Sequence, residues 1–308
     1  MKDEKHFLSI AELNRNELMS LIKNAIRIKK HPKMFSSKLK DKTLLMIFEA
    51  PSLRTRLSFE VGMTQLGGHG IYYNLGESTL GKKENIDDLA RTVSRYCDIA
   101  MARIYSHEML LALAKHSSIP VINAMTNAEH PCQIMADLMT IYEKRKKFSG
   151  LKLAYLGDGD NNVTYSLLYG CAIAGVDIVV ASPKGAMPQK SVVATAKKIA
   201  KNSASVMVTT NPKEAAKDAD IIYTDSWMSY RIPSGEEPKR VKIFSPYQVN
   251  KKLFSLAKNP LFMHCLPAKR GQEVTNDIID SKHSIVFDQA ENRLHMQKAI
   301  MLWLLGKK

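Results

Sequence analysis

Several protein classes are excluded by what this chain has little of. Only 4 of its 308 residues are cysteine. Cys97, Cys132, Cys171 and Cys265 lie far apart with no C-x-x-C pair, which speaks for reduced thiols and against a disulfide framework or a thiolate zinc site. There is no apolar run of about 18 residues, and the charged start Met1-Lys2-Asp3-Glu4-Lys5-His6 has no apolar core behind it, so neither a membrane span nor an export signal is expected. A cytoplasmic protein is the resulting expectation. His6, His69, His107, His116, His283 and His295 show no metal-ligand spacing, and no metal or other cofactor is implied. Internal repeats and low-complexity tracts are absent.

Charge of one sign is in excess, 45 basic against 30 acidic residues, a formal +15. The lysines nonetheless fall in scattered short runs at Lys29-Lys30, Lys82-Lys83, Lys144 to Lys147, Lys251-Lys252 and Lys307-Lys308. Aromatic residues that would stack bases are not interleaved with them, which argues against a nucleic-acid partner. The positive field suits the steering of a small dianion instead. A dinucleotide fingerprint is also incomplete. Gly157-Asp158-Gly159 follows a predicted strand, but the third glycine position holds Asn162, and Ser182-Pro183 stands where a ribose-binding carboxylate belongs. What remains is a tight turn that sets Asn161 and Asn162 at a helix N-terminus, suited to a carboxylate.

What is present is alternation. From Thr43 onward, apolar runs of five or six residues alternate with helical patterns, the mark of parallel α/β sheets. The first sheet is expected from Leu44–Phe48, Ile71–Leu75, Ile99–Arg103 and Pro120–Asn123. The second is expected from Leu151–Leu156, Asp177–Ala181, Ser205–Thr209, Ile221–Thr224, Leu261–His264 and Ile285–Phe287. A helix over Cys132–Lys147 would bridge the halves, and a final helix over about 290–305, carrying Arg293, is apolar enough to pack against a neighbour. The expected fold is therefore α/β in two domains, each a parallel sheet flanked by helices. They span residues 1–147, with 290–308 added to them, and 148–289. The stretch Ser226 to Pro246, with Pro233, Gly235 and Pro238, reads as a long polar loop.

Polar clusters sit where such sheets place ligands, at strand C-terminal ends. After Thr43–Phe48 comes Ser52-Leu53-Arg54-Thr55-Arg56. Ser52 can cap the helix that follows, while first-turn N–H groups and the Arg54 guanidinium converge on one spot, a cradle for a compact phosphate. Phe59, Met63 and Leu66 make the apolar face of that helix and Gly67-Gly68 stops it. Arg103, His130-Pro131-Cys132-Gln133 and His264-Cys265-Leu266-Pro267 follow other apolar runs. Taken singly, a His such as His130 is more often structural and a Cys such as Cys265 a small hydrophobe.

Together these segments resemble the aspartate/ornithine carbamoyltransferase family over essentially the whole chain. The phosphate motif has the family spacing, and the H-P-x-Q and H-C-L-P segments fall in the family order. H-C-L-P and Asp225-Ser226-Trp227-Met228-Ser229 look like the ornithine branch. The resemblance implies transfer of the carbamoyl group of carbamoyl phosphate to the side-chain amine of L-ornithine, giving L-citrulline and phosphate, as in arginine biosynthesis. It implies a carbamoyl phosphate set of Ser52, Leu53, Arg54, Thr55, Thr79, Arg103, His130, Gln133, Cys265, Leu266 and Arg293. The ornithine set would be Asn162, Asp225, Ser229 and Tyr230, with Arg103, His130, Asp225 and Cys265 taking the catalytic roles. It also implies that the last helix returns to the first domain, and that a homotrimer shares its active sites through the loop Glu77 to Glu84.

The chemistry of the same residues suits these roles. Arg103, His130 and the Thr55 hydroxyl can polarise a carbonyl, Gln133 can accept from an amide, and Pro267 would hold Leu266 extended with its carbonyl free. Three positions depart from the pattern: Leu53 stands where Thr is common, Thr79 where Gln or His is common, and Ser229-Tyr230-Arg231 where Ser-Met-Gly is usual. Transfer to another amine, such as putrescine or an acylated ornithine, and a non-catalytic nucleic-acid-binding protein on the same scaffold stand as the alternatives.

Overall fold

The computed structural model describes residues 5–77, 85–228 and 232–307. By its internal contacts the chain forms two compact units, Met1–Met139 with Glu291–Lys308, and Thr140–Ala290.

In the first unit, α1 (Arg15–Lys30) opens on a reciprocal cap between Asn14 and Glu17. There follow β1 (Thr43–Phe48), α2 (Leu53–Gln65), β2 (His69–Asn74), α3 (Ile86–Tyr96), β3 (Ile99–Arg103), α4 (His107–His116), β4 (Val121–Met125) and α5 (Pro131–Arg145). The strands are parallel in the order β2-β1-β3-β4. Apolar runs such as Leu44 to Phe48 and Ile99 to Ala102 are buried along their whole length, as a sheet covered on both faces requires. Gly67, at φ 88°, turns the chain out of α2, where a side chain would meet the Ser36 carbonyl at 2.7 Å.

The second unit contains β5 (Lys152–Leu156), α6 (Asn162–Ala174), β6 (Asp177–Ala181), α7 (Lys190–Ala200), β7 (Val206–Thr209), α8 (Pro212–Ala216), β8 (Ile221–Tyr223), α9 (Glu237–Phe244), α10 (Lys251–Phe254), β9 (Leu261–Met263) and α11 (Asn276–Ile279). Its strands are parallel in the order β7-β6-β5-β8-β9. The expected strand at Ile285–Phe287 does not form. Phe262 bonds the His283 carbonyl and Ile285 bonds the Phe262 carbonyl, an isolated bridge at Ser284, and the chain then coils into α12 (Val286–Leu304). The expected polar loop at 226–246 is also corrected in part. Glu237–Phe244 is helical, with Pro238 in the first turn where its missing N–H costs nothing and Phe244 buried beneath.

The last helix packs on the first unit, as expected. Lys298 donates to Gln65 at 2.7 Å, its stem lies under Gly62, and Trp303 meets Phe7 edge to face. No helix among the described residues is long and apolar enough to cross a membrane.

Candidate active site

In each sheet the strand order reverses once, between β1 and β3 in the first and between β5 and β8 in the second. Crevices form beyond the strand ends at such points, because the flanking connections leave to opposite faces. Predicted residues among those described lie at both.

At the first crossing, Phe48 and Arg103 are register partners at the ends of β1 and β3. Ser52 caps α2, its Oγ accepting from Thr55 N at 3.3 Å. Thr55 is almost wholly buried, and three groups meet its hydroxyl: Ser52 Oγ at 3.1 Å, Arg103 Nη1 at 3.5 Å and Arg293 Nη2 at 3.3 Å. Arginines can only donate, so the oxygen's lone pairs face them, and the Thr55 hydrogen is left for Ser52 or for an anion. Arg103 is held by Nε to the Ala50 carbonyl at 3.1 Å, and Arg293 by Nη1 to Gln133 Oε1 at 2.6 Å. Gln133 is fixed from its other end by Asp137 at 2.8 Å.

His130 is buried in the same cluster. Burial, with the Arg293 and Arg103 charges beside it, holds its imidazole well below the ordinary value, so it is neutral at pH 7 and serves as a polar group, not a cation. Arg54 is half-buried and has no ion-pair partner among the described residues, whereas Arg56 turns away to Glu60 at 3.0 Å and to the Tyr72 ring. Two buried guanidinium groups and one uncommitted one therefore surround a capped helix N-terminus, an arrangement that selects a compact anion of more than one charge. Leu53 is exposed, and only its backbone can serve a ligand there. Cys132 is packing: its thiol donates to the Asn123 carbonyl at 3.3 Å, and burial pushes its pKa up to about 12.

At the second crossing, the turn after β5 is closed by its own groups. Asn161 caps α6, accepting from Thr164 N at 2.8 Å and donating to the Asp158 carbonyl at 2.7 Å. It is thus spent on structure, and Asn162 stands half-buried at the first helical position beside it. Gly159 leaves no room for a side chain, since a Cβ would lie 2.5 Å from Ser182 Oγ and 2.6 Å from Pro188. Its glycine is a packing requirement of this turn and not part of a dinucleotide fingerprint.

Beyond β8 and β9, Asp225 and Cys265 are half-buried neighbours, the thiol donating to Asp225 Oδ1 at 3.0 Å. His264, Asp225 and Cys265 stand close enough together to suggest a metal. The histidine cannot contribute in this arrangement. Its Nδ1 accepts from Leu266 N at 2.8 Å, which places the proton on Nε2, and Nε2 faces Glu273 Oε1 at 3.3 Å. Leu266 corrects one expectation. Its φ is 59° and it is not extended, because its N–H is turned back onto the His264 ring. Thr79, Ser229 and Tyr230 lie outside the described residues, as does most of the loop Glu77 to Glu84.

Sequence reasoning passed over three groups: Asp137, which orients Gln133; Glu273, wholly buried against His264; and the Arg240–Asp158 pair. The first was available in the sequence, since Gln133 and Asp137 stand at i and i+4 of one helix.

An anion cradle rich in arginine on one sheet and a carboxylate–thiol pair on another describe an α/β group-transfer enzyme. Residues 5–143 match the family model described as aspartate/ornithine carbamoyltransferase, carbamoyl-P binding domain, and residues 149–304 match that of the Asp/Orn binding domain. The chain is 47% identical over 306 residues to an ornithine carbamoyltransferase of Methanocaldococcus jannaschii, covering 98% of this chain and 100% of that one. It is 48% identical over 308 residues to a catabolic ornithine carbamoyltransferase of Thermoplasma volcanium, covering 98% and 99%. The solved ornithine carbamoyltransferase from Pyrococcus furiosus superposes with a TM-score of 0.94 at 46% identity, covering 98% of this chain and 97% of that one. The chain belongs to the aspartate/ornithine carbamoyltransferase family.

Proposed function

We propose that this enzyme transfers the carbamoyl group of carbamoyl phosphate to the side-chain amine of L-ornithine, yielding L-citrulline and phosphate. The observation that carries the first half of this reading is the convergence of Arg103 and Arg293 on the Thr55 hydroxyl beside a histidine held neutral. Phosphate would be held by Arg54 and the first-turn groups of Ser52, Leu53 and Thr55. Arg103, His130 and Thr55 would face the carbonyl oxygen, an oxyanion role worth about 3 to 4 kcal/mol per good donor. Gln133, with Asp137 fixing its amide, would meet the carbamoyl NH2, as would the Leu266 carbonyl.

For the acceptor, Asn162 would take the α-carboxylate, and Asp225 and Cys265 would orient the side-chain amine. Ser229, Tyr230 and, on the phosphate, Thr79 keep the roles that the family resemblance gives them. The amine lone pair attacks the carbonyl carbon, the bond to the phosphate oxygen breaks, and the amine proton leaves with phosphate. An ammonium group titrates near 10.4, so presenting it neutral at pH 7 costs about 4 to 5 kcal/mol. The Asp225–Cys265 pair, itself linked at 3.0 Å, can accept the amine's remaining N–H bonds while the lone pair points away. No covalent enzyme intermediate is needed, because positioning two bound reactants supplies much of the rate.

The assembly we propose is a homotrimer, working in the cytoplasm with its cysteines reduced. Support comes from the outer face of α2, where Leu53, Leu57 and Val61 are 70%, 50% and 38% exposed around a hollow of about 400 Å³. An apolar stripe of this kind is usually covered by another chain. A panel of amine acceptors tests the function. Ornithine should release phosphate at a rate well above putrescine, lysine and acylated ornithine, and a faster rate with any of those would replace the acceptor assigned here.

A further inference from the structure

The β5–α6 turn and the segment after β8 flank the second crossing, and one side chain from outside both ties them together. Arg240, on α9, donates through Nη2 to Asp158 Oδ2 at 2.5 Å and through Nε to the Trp227 carbonyl at 2.6 Å. The first bond reaches the turn that leads to Asn162; the second reaches the chain two residues beyond Asp225. Arg240 is itself only 15% exposed and Asp158 3%, so this contact is screened little by water. Its guanidinium stacks over the Phe244 ring at 4.6 Å, and Phe244 stacks on Trp227 at 5.8 Å. A planar fork with two separated N–H vectors is needed to hold both partners.

We propose that Arg240 and Asp158 are positioning residues for the amino-acid substrate, a clamp that sets the spacing between the strand-end segments carrying Asn162 and Asp225. The inference rests on the assignment of those two residues to ornithine. It adds two residues that touch no substrate and act through the backbone. Asp158 is ionised at pH 7, but burial pushes its carboxyl up to about 6, with Asp160 and Asp225 adding to the rise and Arg240 opposing it. The Asp160 N–H also bonds Asp158 Oδ1, and the Asp158 carbonyl accepts from the Tyr155 hydroxyl, Asn161 Nδ2 and the Thr164 hydroxyl. Protonation therefore takes the charge from the clamp within an accessible pH range.

The test uses Arg240→Gln, Arg240→Lys, Asp158→Asn and the double variant Arg240→Gln/Asp158→Asn, with KM measured for each substrate and Tm for each protein. Misplacing a binding group by a fraction of an ångström to one ångström raises the ornithine KM of Arg240→Gln by roughly 10- to 100-fold, with the carbamoyl phosphate KM unchanged within error. Arg240→Lys, which can reach one partner at a time, recovers only part of the loss, and the double variant is no worse than the poorer single one. The wild-type ornithine KM rises as pH falls through about 6, a step absent from Asp158→Asn. Unchanged ornithine KM, equal losses for both substrates in step with a lower Tm, or additive losses in the double variant would each overturn the clamp. If the wild-type enzyme does not use ornithine at all, the acceptor assignment fails and takes the clamp with it; wild-type turnover with unaffected variants overturns the clamp alone.

Discussion

Replacing Thr55 with valine removes one buried hydroxyl and little else, which makes it the sharpest probe of the anion cradle. Valine has the same branched shape, and the cap survives because Ser52 Oγ bonds the backbone N–H of position 55, not its side chain. What goes is the oxygen that faces Arg103 at 3.5 Å and Arg293 at 3.3 Å, together with the hydrogen it can offer a ligand. A hydrogen bond to a charged group contributes about 1.5 to 3 kcal/mol, so kcat/KM for carbamoyl phosphate should fall by roughly 10- to 150-fold. The two arginine contacts are long, so the cost to folding should sit near the low end for an unsatisfied buried partner, about 1 kcal/mol. Steady-state phosphate release against each substrate, with a thermal melt alongside, measures both quantities. Loss confined to the carbamoyl phosphate parameters is expected. A change below about twofold in kcat/KM for carbamoyl phosphate would mean that the Thr55 hydroxyl does not bond the ligand, since that is less than one such bond can account for.

Further expectations follow from the same geometry. Cys265→Ser should keep the fold and raise the ornithine KM more than that of carbamoyl phosphate, while Arg54→Ala should do the reverse; equal losses in both variants would show the two substrate sets to be misassigned. His130 should make stability fall as pH drops. Its folded pKa is depressed, so its contribution is present above the unfolded value near 6.5 and is lost as pH falls toward the folded one. Asp158 has the opposite sign: raised from 3.8 to about 6, it stabilises most below 3.8 and loses that contribution as pH rises through about 6. Chemical denaturation of wild type, His130→Gln and Asp158→Asn between pH 4.5 and 8, a range of about two units either side of those values, would separate them, and parallel curves would contradict both assignments. Leu57→Asp, on a side chain 50% exposed, should leave the monomer folded but break the assembly; sedimentation showing three chains in wild type and the same three in the variant would remove α2 from the interface.

Much of this was legible in the sequence, for physical reasons that differ from place to place. The cradle could be read because its signals are local: a buried strand, a capping serine, a helix with its apolar face at i, i+4 and i+7, and a left-handed glycine to end it. Parallel strands buried on both faces leave continuous apolar runs, so seven of the nine observed strands could be placed to within a residue, and β2 and β4 to within two. Ile285–Phe287 has the same look. It is drawn into α12 because its pairing with β9 stops at the Ile285 N–H, and the chain coils from Val286 onward. The helix at Glu237–Phe244 was hidden by proline and glycine around it, although Pro238 falls where a helix tolerates it. Asp158 and Arg240 stand 82 positions apart with no spacing rule to join them, so only folding reveals the pair. The backward turn at Leu266 was likewise out of reach, since the residue before a proline is ordinarily extended and the His264 ring overrides that preference here.

Following the carbamoyl carbon shows whether it is carried from carbamoyl phosphate to ornithine. With 13C-labelled carbamoyl phosphate and unlabelled ornithine, the label should appear in the ureido carbon of citrulline, one equivalent for each phosphate released, and only when the enzyme is present. Label recovered as carbonate or cyanate, with ornithine unchanged, would mean that the enzyme hydrolyses or decomposes carbamoyl phosphate and transfers nothing.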